Sequence, residues 1–176
     1  MMSDVFTQYW YPIITAFHQG KSALPAHLGI SSDDYHQITE LVGLVPIATH
    51  DLPQYAALQL RHELIGMRDD ELSELTELLT EHLDHHQPYA QQMANVLANA
   101  SMGSQHLWRD LGMPERPRLS QLFHDYFPTL HALNHHNMRW KRFLYKQLCE
   151  SGGDYVCRSP SCETCTSYEE CFGEER

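Results

Sequence analysis

Four cysteines, Cys157, Cys162, Cys165 and Cys171, fall within the last twenty residues of this 176-residue chain in the pattern C-x4-C-x2-C-x5-C. Thiols so crowded can close two disulfides, grip a tetrahedral zinc ion or hold an iron-sulfur cluster at its corners. The amino terminus MMSDVFTQYW lacks a basic stretch leading into an apolar one, so a cytoplasmic location with reduced thiols is expected. Structural zinc sites usually separate two C-x2-4-C knuckles by a dozen or more residues. This segment has a single knuckle, Cys162 and Cys165, with one further cysteine on either side. Its opening C-x4-C-x2-C matches the ferredoxin-type run, although there the fourth cysteine is remote. The spacing therefore favours an iron-sulfur cluster, with a helical interaction protein stapled by a structural zinc site on the four cysteines as the alternative. Ser159, Ser161, Thr164, Thr166 and Ser167 are small enough to let backbone N–H groups approach sulfur, a contact that tunes cluster potential, though zinc would tolerate them equally.

Other side chains could enlarge the ligand set. Cys149, eight residues before Cys157, reads either as a fifth ligand or as a small core hydrophobe, and the core reading is favoured. Among thirteen histidines, His82, His85 and His86 have the i, i+3, i+4 spacing that shares one helix face and could load a metal ion. Histidine near a helix end is also favoured by the dipole alone, and that simpler account is preferred. His106 lies in the glycine-flanked stretch SMGSQHLW, and His131, His135 and His136 precede the last predicted helix. Any of them could complete a coordination shell, and the sequence does not choose.

The segment NMRWKRFLYKQLCE concentrates Arg139, Lys141, Arg142 and Lys146, four of only twelve lysines and arginines. Cations beside a thiolate-held cluster would lower the cost of its negative charge, attract an oxyanion or dock an acidic partner. The competing reading is a solvated face opposite a buried stripe of Trp140, Phe143, Leu144 and Leu148.

The elements that must position these groups read as helices. Apolar residues recur at helical spacing, and alternating β-branched runs are scarce. An all-α single domain, 1–176, is expected, with a helical body over about 4–150 and an irregular metal-binding loop over about 154–173. The first helix should span 4–18, with Val5, Trp10, Ile13, Ile14 and Phe17 inside, and stop at Gly20. A second should open at Ser31 or Ser32 and end before Pro46. Helices from about Pro53 and Asp70 flank a break at 66–69, and leucines 72, 75, 78, 79 and 83 form the stripe of the latter. Pro88 fits the first turn of a fifth helix holding Met93, Val96 and Leu97. A short helix near 104–111 and two more over about 119–126 and 137–150 complete the body. No run is long enough to span a membrane, and a net charge of −11 argues against nucleic-acid binding.

The cysteine pattern, together with SMGSQHLWRDLGMPERPRLS and the basic segment that precedes the cysteines, closely resembles the NifQ family of nitrogen fixation. The resemblance covers about residues 101–173, while the first hundred agree mainly in length and helical character. It implies a non-enzymatic molybdenum carrier whose Cys157, Cys162, Cys165 and Cys171 hold an iron-sulfur or molybdenum-iron-sulfur cluster. The implied task is delivery of molybdenum for assembly of the nitrogenase iron-molybdenum cofactor. Molybdate or a molybdenum-sulfur species would be the cargo, and the cofactor maturation scaffold and the cluster- and molybdenum-supplying proteins the partners. The acidic residues Glu163, Glu169, Glu170, Glu174 and Glu175 would repel molybdate, so the basic helix is expected to face the molybdenum source. A DNA repair glycosylase bearing a C-terminal cluster is a remote rival, because the chain lacks the glycine-rich hairpin and basic surface such an enzyme uses on DNA.

Overall fold

A computed structural model of the chain describes residues 4–150 and 172; the segment carrying Cys157, Cys162, Cys165 and Cys171 lies outside the described residues. Within them every regular element is helical. The first, α1 (Asp4–His18), buries Phe6, Trp10, Ile13, Ile14 and Phe17 along one face, and Gly20 turns the chain at φ +71. Ser31 caps α2 (Ser32–Leu41), its hydroxyl accepting the Asp34 amide at 3.1 Å. Next, α3 (Tyr55–Gly66) buries only Leu58, and α4 (Asp69–Glu81) opens on three acidic residues that complement its dipole and buries Leu75, Leu78 and Leu79.

The centre of the body is α5 (Ala90–Ser101), in which Ala90, Met93, Ala94, Val96, Leu97, Ala98, Asn99, Ala100 and Ser101 are all buried. A helix enclosed nearly all round must be covered by neighbours, and α4 lies along it while α6 (Leu107–Leu111) packs at its end. Gly112 terminates α6 at φ +84, and a Cβ there would lie 2.3 Å from Cβ of Ala16. Only glycine meets both demands, so the end of α6 rests directly on α1. The chain continues through α7 (Arg116–Tyr126), α8 (Pro128–Leu133) and α9 (Trp140–Glu150).

Several expectations need correction. Pro88 is not in the first turn of α5; it precedes Tyr89, which turns the chain at φ 54 while its ring packs 5.7 Å from that of Phe6. The short α8 has no counterpart among the expected helices: Phe127, at φ −133, separates it from α7, and Pro128 opens it. The last helix starts at Trp140, not near 137, because Asn137 sits at φ 55. The Asn134 side chain fixes that turn, accepting the Met138 amide at 2.8 Å and donating to the Met138 carbonyl at 2.9 Å. The histidine triplet also fails as one helical face. α4 ends at Glu81, and the Asp84 amide is diverted to the Tyr126 carbonyl at 2.8 Å. His85 and His86 therefore fall in an exposed turn, and His82 Nδ1 pairs with Thr129 Oγ1 at 2.8 Å. No helix among the described residues is long and apolar enough to cross a membrane.

Candidate metal centre and the helix that leads into it

The helix preceding the cysteine segment is pinned to the body along its length. At its start Trp140 stacks on Phe123, with centroids 4.0 Å apart and planes within 4°, and its indole N–H donates to Ser120 Oγ at 3.2 Å. Phe143, Leu144 and Leu148 complete the buried stripe. Tyr145 donates its hydroxyl to Glu71 at the start of α4. Glu71 in turn receives a two-pronged pair from Arg68, Nε and Nη2 both at 2.7 Å, and Arg68 Nη1 donates to the Met102 carbonyl at 3.1 Å. Hydrogen bonding from Arg68, with help from Tyr145, holds the Glu71 carboxyl below its ordinary pKa against the opposing effect of burial. Burial and the same carboxylate push the Tyr145 phenol upward.

Lys141 carries the most consequential contact. Its ammonium donates to the Gly103 carbonyl at 2.7 Å and pairs with Asp110, with side-chain exposures of only 17% and 5%. Asp110 also accepts the Gln105 amide at 3.1 Å, and a Cβ at Gly103 would lie 2.5 Å from its carboxyl group. Burial lowers the pKa of Lys141, and the Asp110 pair opposes that shift. The expectation that the basic helix as a whole greets an incoming anion is thereby corrected: Lys141 is committed to the interior. Arg139 and Arg142 are not without partners either.

Sequence reasoning missed Asp110, Gly103, Glu71 and Tyr145 as anchors of this helix. A signal did exist for Asp110, which lies between Leu107 and Leu111 on the apolar side of α6, where an acid needs a buried partner.

Cys149 is a half-buried free thiol one residue before the end of α9, matching neither a fully enclosed core residue nor a demonstrated ligand. Phe172, the residue after Cys171, packs against the hydrophobic core. The cysteine segment is thus bounded by two residues placed on the body. Among the described residues no group of three or more His, Cys, Asp or Glu side chains could hold a metal. His106 is half-buried immediately before α6, and His135 and His136 are exposed with rings 4.1 Å apart. His131 sits 5.3 Å from His124 and 6.2 Å from Trp140 by ring centroids, and burial lowers its pKa.

The family model NifQ matches residues 10–173, a span that takes in most of α1, all of α2 to α9 and the four clustered cysteines. The chain belongs to the NifQ family. Membership places it among nitrogen-fixation proteins. It is 43% identical to "Protein NifQ" of Azotobacter vinelandii over 168 residues, covering 93% of this chain and 86% of the relative. It is 36% identical to "Protein NifQ" of Klebsiella pneumoniae over 157 residues, covering 89% and 92%. No solved structure matches. The likeness to the family therefore begins far upstream of residue 101, where the motifs alone place it, and the helical body is as much a family feature as the cysteines.

Proposed function

We propose that the protein carries molybdenum on an iron-sulfur cluster held by Cys157, Cys162, Cys165 and Cys171 and delivers it for assembly of the nitrogenase iron-molybdenum cofactor. The observation that carries this reading is the four-thiol segment inside a family match that runs through residue 173. Soft thiolate ligands select iron-sulfur clusters, where carboxylates and water would favour hard ions. The pinned α9 gives the cysteine segment a fixed point of departure, and the body then serves as a handle recognised by donor and acceptor proteins. Molybdenum, as molybdate or a molybdenum-sulfur species, is cargo, so binding and release replace catalytic turnover.

Anaerobic purification with iron, acid-labile sulfide and molybdenum quantified in wild type and in each cysteine-to-alanine variant tests this. A brown protein containing all three elements is expected, with iron and molybdenum lost in each variant of the four clustered cysteines and retained in Cys149→Ala. A colourless wild type holding one zinc would replace the carrier with a structural zinc site on the same four thiolates.

A further inference from the structure

We infer that the cavity between α1, α3 and α6 binds a tetrahedral oxyanion through Lys21, Arg61 and Arg109. The cavity measures about 1030 Å³, and these three cations are on its wall. In a chain of net charge −11 with twelve lysines and arginines, such a concentration is the opposite of the overall balance. Among the described residues the sole carboxylate on the wall is Asp110, and it is already paired with Lys141. The cavity therefore carries uncompensated positive charge.

The three cations line the cavity from separate elements. Arg61 Nη1 donates to the Leu24 carbonyl at 3.1 Å, and the Ala23 amide donates to the Asp110 carbonyl at 2.8 Å. Residues 23–24 thus join the α3 guanidinium to α6. Among the described residues Arg61 has that carbonyl as its hydrogen-bond acceptor and no carboxylate within ion-pair distance, although it is half-buried. A guanidinium offers five N–H donors in a fixed fork suited to oxyanions, and withdrawing it from water is costly. Burial accordingly lowers its pKa, and the nearby Asp110 charge offsets that shift only in part. Arg109 is steered along the rim by Trp108, its guanidinium carbon 4.9 Å from the ring centroid, and Lys21 is exposed at another part of the lip. The wall holds further donors: Ser22 is 6% exposed, and its hydroxyl, that of Thr15 and the Trp108 indole N–H are buried with no hydrogen-bond partner among the described residues.

That the physiological anion is molybdate rests on the proposed carrier function; the site itself rests on the cavity alone. Equilibrium dialysis of the full-length protein against molybdate, with sulfate and phosphate as competitors, tests it. Wild type is expected to bind molybdate, to lose it to excess sulfate or phosphate, and to bind less as salt is raised. Lys21→Gln/Arg109→Gln, two exposed positions, should weaken binding about tenfold with an unchanged melting temperature. Arg61→Gln should weaken it as much, with its melting curve recorded because the Leu24 bond is lost too. The variant with all four clustered cysteines changed to alanine should bind the anion as wild type does. Absent binding in wild type, undiminished binding in the double variant, or loss of binding in the cysteine variant would each overturn the proposal. Anion binding at the cavity in a protein that purifies without molybdenum or iron would sink the carrier reading and leave this site standing.

Discussion

Lys141 shows how far a single residue's role can depart from its type. In the sequence it is one of four cations on a surface-like helix; in the fold it is the partner of an acid thirty-one positions upstream. Breaking a buried pair from one side strands the other charge, so Asp110→Asn should cost about 3 kcal/mol in urea denaturation. Changing both partners together, Asp110→Asn with Lys141→Met, should recover most of that loss, because no unpaired charge remains. Replacing Arg139, Lys141 and Arg142 by glutamine together should lower the unfolding midpoint, and any drop in molybdenum content in that variant has to be read against the loss of stability.

Two contacts decide how the elements sit. The end of α6 lies on α1 because Gly112 combines a positive φ with a missing Cβ. Gly112→Ala should therefore destabilise by about 2 kcal/mol or more, from left-handed backbone strain plus the clash with Ala16, and a thermal melt would register it. The other contact is the Tyr145 hydroxyl on Glu71, which ties α9 to α4. Tyr145→Phe should cost about 1.5 kcal/mol, the order expected for a hydrogen bond to a charged acceptor, with the helical circular dichroism signal unchanged. The sequence showed both ends of α1 and the starts of α2 and α4 closely, since apolar stripes and caps are local signals, whereas α2 stops at Leu41 and α4 at Glu81, short of where their patterns run. It did not show α8, whose six residues are too few for periodicity to emerge, nor the start of α9, which a left-handed Asn137 and the Asn134 side chain delay.

For the molecule as a whole, pH acts through the same network. The Glu71 carboxyl has a folded pKa below its ordinary value of 4.5, so its contribution to stability is fully present above that value and is lost as pH falls through the folded pKa. Denaturation midpoints measured from about pH 7 down to about pH 3 should fall on the acid side. Glu71→Gln should flatten that fall, and an identical slope in the variant would show that the carboxylate is not a source of it. The distribution of charge is also a whole-molecule property: an acidic chain gathers Lys21, Arg61 and Arg109 around one cavity from three separate stretches of sequence.

What the sequence determined by itself is carried in contiguous stretches: the all-helical character of the body, and the four-thiol segment on which the proposed metal chemistry rests. Both follow from short-range rules, helical periodicity in one case and thiol softness in the other. What only the tertiary structure decided is which charges are spent and which are available. Lys141 is consumed by Asp110, the His82 ring hydrogen-bonds Thr129, and Lys21, Arg61 and Arg109 line one cavity from three separate stretches of the chain. Such pairings depend on the packing of distant helices, and no local pattern in the chain encodes them.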